Sequence, residues 1–91
     1  KSANLGHALA QFNVAVYFEK GDGGLPQDDK QAFDWYEKAA NQGNAEAQFM
    51  TGQYLLHGKG IEKDTQKAIY WFNLAKENGN TNAARILSIL E

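Results

Sequence analysis

The sequence predicts an all-α fold: a right-handed solenoid, or α-α superhelix, built from antiparallel helix hairpins. Three observations lead there. A unit of 36 to 37 residues occurs twice, each half-unit carries apolar residues three and four apart, and Gly, Asp or Asn punctuates the predicted helix ends. The run KSANLGHALAQF from Lys1 lines up with KAANQGNAEAQF from Lys38 at an offset of 37, and the match continues through Tyr17 and Tyr54, then Gly21 and Gly58. Past the glycine loop the offset becomes 36, pairing Asp28 with Asp64, Ala32 with Ala68, Trp35 with Trp71 and Ala39 with Ala75. Self-similarity at such a period is the signature of a stacked repeat array. One inserted residue in GDGGLPQD, against GKGIEKD, accounts for the slip.

The internal match divides a single repeat domain, residues 1–91, into four parts. Residues 1–7 read as the tail of a preceding unit, 8–44 as unit one, 45–80 as unit two, and 81–91 as a half-unit or capping helix. Lys1 to Leu5 repeat the end of a unit and Thr81 to Glu91 its first half. The expectation is therefore an excerpt of a longer array, or a mature chain trimmed inside a unit.

The first helix of unit one is expected over Ala8 to Lys20, with Ala10, Val14, Tyr17 and Phe18 on one face. Ala47, Thr51, Tyr54 and Leu55 form the matching face in unit two. Gly21 and Gly58 should stop these helices, where a left-handed residue needs no Cβ. Pro26 then forbids a continuous helix in unit one. Asp28 and Asp64 are placed to accept from the orphan N–H groups opening the second helix of each unit. That helix carries Ala32, Trp35, Tyr36 and Ala39, or Ala68, Trp71, Phe72 and Ala75, and ends at Gly43 or Gly79. Asn44 and Asn80 each cap the next helix. The last helix sets Asn82, Arg85, Ser88 and Glu91 on one side against Ile86, Leu87, Ile89 and Leu90, a pattern suited to a solenoid cap or a half-unit. Five helices and a short lead-in turn result. Neither hairpin can bury its alanine and aromatic rows alone, so neighbours must stack. Two units fall short of the three or so that bury a continuous core, so the domain should be folded but modestly stable.

Composition narrows the function. The 91 residues carry 9 Lys and Arg against 11 Asp and Glu, a net charge of −2 without the basic face that nucleic acid demands. No run approaches the roughly 18 apolar residues of a membrane span, so no membrane insertion is expected. The absence of cysteine removes disulfides, thiolate metal sites and thiol nucleophiles. His7 and His57, the two histidines, lack a second ligand at metal spacing and read as exposed helix-end residues. GDGG and GKG do not continue into a phosphate loop and read as turn glycines. Asp22, Asp28 and Asp29 fall short of a calcium loop. Carboxylate pairs such as Asp28–Asp29 sit in loops without an apolar setting, and neither serine has a triad partner in register. Trp35 and Trp71 recur at core positions and read as packing. No catalytic residue, metal or cofactor is expected.

The pattern A-x-A-Q-F, then G-x-G, Asp, an alanine, W-Y/F-x-x-A and a closing Gly-Asn resembles the Sel-one-like repeat family of the tetratricopeptide superfamily. Ala8, Ala10, Gln11, Phe12, Ala15, Gly21, Gly23, Leu25, Asp28, Ala32, Trp35, Tyr36, Ala39, Ala40 and Gly43 carry it in unit one. Ala45, Ala47, Gln48, Phe49, Gly52, Gly58, Gly60, Ile61, Asp64, Lys67, Ala68, Trp71, Phe72, Ala75 and Gly79 carry it in unit two. The unit is longer than the roughly 34-residue tetratricopeptide unit and has the glycine loop in place of a tight turn. Val14 and Thr51 stand where Leu is usual, Ala15 and Ser88 where a helix-contact Gly is, and Gln31 where Lys is.

The resemblance implies a non-catalytic adaptor that binds a protein or peptide partner. Penicillin binding, linked to cysteine-rich relatives, is not implied for a cysteine-free chain. By the same resemblance the first helix of each unit lines the concave side. Candidate partner-binding residues are then Leu9, Phe12, Val16 and Lys20 in unit one, with Glu19 beside them. In unit two they are Glu46, Phe49, Gln53 and His57, with Leu56, followed by Arg85 with Asn82 and Ile89. Phe12 and Phe49 serve equally as interhelical packing. The positions that differ between copies, Val16 against Gln53 and Lys20 against His57, are those expected to serve surface or partner. The alternative is a structural spacer of a longer repeat protein with no groove of its own.

Overall fold

The computed structural model describes residues 2–21 and 26–90, with side chains from His7 onward. Lys1, Glu91 and the loop residues Asp22, Gly23, Gly24 and Leu25, including the turn-glycine and calcium-loop readings placed on them, lie outside the described residues. Five helices follow one another: α1 (Ser2–Lys20), α2 (Asp29–Asn41), α3 (Ala45–His57), α4 (Thr65–Glu77) and α5 (Thr81–Leu90), with no strand among the described residues. Each packs on the next in the chain, giving an all-α solenoid of 40 × 31 × 16 Å.

The helix boundaries follow local chemistry. Asp28 Oδ1 accepts from Lys30 N and Gln31 N at 3.1 and 3.2 Å, and Asp64 Oδ1 from Lys67 N at 3.0 Å. Asn44 Oδ1 accepts from Ala47 N at 2.8 Å and Asn80 Oδ1 from Ala83 N at 2.9 Å. Each satisfies a donor that the first helical turn would otherwise orphan. At the other end Gly58 closes α3 in the left-handed region, φ 68°, where a Cβ would be strained.

One boundary differs from expectation. Gly6-His7 aligns with Gly43-Asn44, yet α1 runs unbroken from Ser2 through that point, so the expected lead-in turn is helical. His7 replaces Asn44 and has no side-chain oxygen to accept from the N–H three residues on, which removes the local reason for a new helix start.

The core is a file of alanines, Ala8, Ala15, Ala32, Ala39, Ala47, Ala68, Ala75 and Ala83, all fully buried, with aromatics between them. Tyr36 sits edge-to-face between Phe12 and Tyr54, with ring centroids at 5.4 and 5.5 Å. Small residues set the helix spacing: a Cβ on Gly52 would lie 2.7 Å from the Phe72 ring.

Three faces depart from the expected pattern. The face Ala47, Thr51, Tyr54 and Leu55 is buried, but its counterpart in α1 is largely open, with Ala10 and Tyr17 exposed. No helix lies on that side of α1 among the described residues. Trp71 is buried whereas Trp35 is half-buried, and Phe33 fills the α2 core instead. Tyr70 covers the edge of Trp71 at 5.3 Å, but Asp34 stands at the matching place and leaves Trp35 to Lys38, whose ammonium lies 4.3 Å from the ring centroid. In α5, Ile89 is 81% exposed and not on the apolar side. It lies one turn beyond Arg85, while Ala83 and Leu87 face α4.

Candidate functional site

α3 lies in the middle of the solenoid, and its open face is flanked by the end of α1 and the start of α5. Two depressions lie along it. One, of about 340 Å³, is bounded by Glu46, Phe49 and Met50 of α3 and by Gly79, Asn80, Thr81 and Asn82 at the α4–α5 junction. The other, of about 220 Å³, lies between Glu19 of α1, Met50, Gln53, Tyr54 and His57 of α3, and Lys59 of the following loop. Met50 belongs to both.

Of the candidates, Glu46, Phe49, Gln53 and His57 are brought together here, because positions three and four apart share one side of a helix. Phe49 is half-buried, its ring 5.8 Å from that of Phe72, so it both packs and lines the depression. Phe12 packs edge-to-face on Tyr36, and Val16 packs against the core. Leu9, Lys20 and Arg85 are exposed and line neither depression. Glu19 and Asn82 line the depressions as well, and Met50, Tyr54, Lys59 and the α4–α5 junction residues Gly79, Asn80 and Thr81 are lining residues beyond the candidates. Met50 corresponds to the exposed Asn13, so the difference between copies that marked Gln53 and His57 marks Met50 as well.

A polar cluster closes the second depression. The Tyr36 hydroxyl donates to Glu19 Oε1 at 2.5 Å, and Lys59 Nζ lies 3.8 Å from Glu19 Oε2 and 5.0 Å from the centre of the Tyr54 ring. The ion pair is partly exposed and orients more than it stabilises. Burial, then the neighbouring Glu19 carboxylate, pushes both the Tyr36 and Tyr54 phenols well above the usual tyrosine range. Both phenols are neutral at physiological pH, and that of Tyr36 is the donor to Glu19. The Tyr54 hydroxyl itself is buried with no partner among the described residues. Chemically the surface offers the half-buried Phe49 and Met50 side chains and the Tyr54 ring, edged by amide, imidazole, carboxylate and ammonium groups. Among the described residues no group of three His, Asp or Glu is placed to hold a metal ion, and no helix is long and apolar enough to cross a membrane.

Comparison with known proteins places this architecture. The Sel1 repeat model matches residues 8–44 and 45–80. The chain is 38% identical over 90 residues to chitin synthase regulatory factor 4 of Schizosaccharomyces pombe, covering 99% of this chain and 14% of that protein. It is 38% identical over 77 residues to an exopolysaccharide production negative regulator of Rhizobium meliloti, covering 81% of this chain and 29% of that protein. The crystal structure of a Sel1 repeat protein from Oxalobacter formigenes superimposes with a TM-score of 0.88 at 38% identity, over 92% of this chain and 24% of that one. The chain thus spans less than a third of each of these proteins. With both units matched by the family model and the helices superimposing on a Sel1 repeat structure, the chain belongs to the Sel1 repeat family, within the tetratricopeptide-like helical repeats.

Proposed function

We propose that this segment is a non-catalytic protein-interaction module that holds an extended stretch of a partner protein along α3. The observation that carries the reading is Met50, which lines both depressions, so that they lie side by side along α3 between Asn82 at one end and His57 and Lys59 at the other. Phe49 and Met50 would supply apolar area. Glu46, Gln53 and His57 would fix register, since polar groups discriminate where apolar contact supplies affinity. That relatives are named as regulators of a chitin synthase and of exopolysaccharide production supports an adaptor of regulation over an enzyme.

The test is capture of partners from a lysate by the immobilised chain, compared with Met50→Asn, Gln53→Ala and Arg85→Ala variants whose helical circular dichroism is unchanged. Loss of captured species with Met50→Asn and Gln53→Ala supports the groove. Arg85→Ala separates the two depressions from the wider concave surface. Capture unaltered by all three defeats the groove, and absence of any captured species leaves the spacer reading.

A further inference from the structure

The depression beside Lys59 is built on polar groups that the fold does not require. The Tyr36 hydroxyl donates to Glu19 Oε1 at 2.5 Å, and the Tyr54 ring stands 5.5 Å from that of Tyr36. One unit on, at offsets of 37 for Glu19 and 36 for the tyrosines, the same positions hold Leu56, Phe72 and Leu90. Phe72 is fully buried there, with Leu56 and Leu90 packed against the core. The next junction is thus closed by three apolar side chains. Placing a carboxylate and two phenols at those positions costs desolvation that leucine and phenylalanine avoid.

What the polar set offers is a seat for a cation. The Lys59 ammonium already rests in it, 5.0 Å from the centre of the Tyr54 ring and within range of cation–π attraction. It stands 3.8 Å from Glu19 Oε2, too far for a direct hydrogen bond. The Lys59 side chain is 39% exposed, and an ion pair of that kind holds weakly. The charges that act on the two phenols, after burial itself, are carboxylates: Glu19 and Asp29 at Tyr54, Glu19 and Glu46 at Tyr36. The surroundings therefore favour positive charge.

We infer that this depression, of about 220 Å³, receives an arginine side chain of the partner segment, which displaces Lys59, stacks on the Tyr54 ring and donates to Glu19 Oε2. The inference rests on the proposal that a partner lies along α3, and it names the chemistry recognised there. Arginine fits better than lysine because a planar guanidinium stacks on a ring while its forked N–H groups reach a carboxylate. An ammonium is a point charge, which Lys59 already supplies. Gln53 and His57 also line the depression and carry acceptors for the remaining N–H groups. Met50 lies beside the path of the methylenes.

Titration of the full chain with N-acetyl-arginine amide at low salt tests it, followed by the amide shifts of Gly58, Lys59 and Gly60. Saturable shifts are expected at millimolar concentrations. Glu19→Gln keeps an acceptor for the Tyr36 hydroxyl and should weaken binding about tenfold or more. Lys59→Ala removes the resident competitor and should tighten binding about threefold. N-acetyl-lysine amide should bind more weakly. The proposal is overturned if arginine amide gives no saturable shift, if Glu19→Gln leaves its affinity unchanged, or if N-acetyl-glutamate amide binds instead. Weaker binding in Lys59→Ala, the sign expected of an anion site, overturns it as well. Partner capture lost in Met50→Asn while the arginine probe fails would overturn the arginine seat and leave the α3 reading standing. Capture unaltered by Met50→Asn and Gln53→Ala while the probe binds would overturn that reading and leave the seat.

Discussion

The Tyr36 hydroxyl reaches back across 17 residues to donate to Glu19 Oε1 at 2.5 Å, tying the middle of α2 to the last turn of α1. One helix away, Tyr54 presents the same phenol to a buried place with no acceptor among the described residues. The two tyrosines should therefore respond oppositely to loss of the hydroxyl. Tyr36→Phe should cost about 1.5 kcal/mol, the worth of a hydrogen bond to a charged group, while Tyr54→Phe should be neutral or stabilising by up to about 1 kcal/mol. Urea unfolding of the two variants at pH 7 measures both.

The same pair sets an alkaline limit. Burial, followed by the nearby Glu19 carboxylate, raises both phenols above their ordinary value near 10. Below that value folded and unfolded chains are both protonated and the pair adds no pH dependence. Above it the unfolded chain releases protons that the folded chain retains, so stability falls as pH rises. The urea midpoint should drop between pH 8 and pH 10.5, and drop less in Tyr54→Phe. An equal drop in that variant would remove Tyr54 as a source.

Gly60 touches the start of α2 from the loop of the following unit. Its φ is +69°, and a Cβ there would lie 2.5 Å from the backbone carbon and oxygen of Asp29. A backbone neighbour cannot swing aside as a side chain can. Gly60→Ala should cost roughly 2–4 kcal/mol, combining left-handed strain with overpacking. Gly43, with φ +98° and nothing within 4 Å of its would-be Cβ, is the control. Gly43→Ala should cost only the conformational part, about 1 kcal/mol. Similar losses at the two sites would show that the contact with Asp29 contributes nothing.

The caps at Asp28, Asn44, Asp64 and Asn80 were legible because each acts on N–H groups two or three residues away, within reach of a local pattern. His7 carried the opposite signal, since the missing amide oxygen is what lets α1 continue. Burial of the first-helix face was not legible in the same way. Ala10 and Ala47 are one residue type in one register, and only the presence of a packed neighbour separates them. Phe33 and Trp35 exchanged roles because Tyr70 covers Trp71 while Asp34 covers nothing, a difference visible only when the two units are compared at the adjoining position. The Tyr36–Glu19 bond joins helices that the pattern could order but not rotate. Met50, by contrast, could have been found by the comparison that singled out Gln53.

Gln48 joins three helices through one amide: Nε2 to the Ala40 carbonyl of α2 at 3.1 Å, Oε1 from Asn78 Nδ2 at the end of α4 at 2.9 Å. Gln48→Leu keeps the bulk and removes both bonds, while the Ala40 carbonyl retains the Gly43 N–H at 3.0 Å. The expected loss is about 1–3 kcal/mol. In unit one the glutamine is Gln11, and the place of Asn78 at the helix C-cap is held by Gln42. Gln42 is exposed, and Gln11 Oε1 is left without a partner among the described residues. Gln42→Asn restores the shorter arm at the same cap. It should stabilise the chain by about 1 kcal/mol, seen as a higher urea midpoint, and the gain should vanish when Gln11→Leu is added. A gain that survives Gln11→Leu would belong to the cap itself and not to the amide pair.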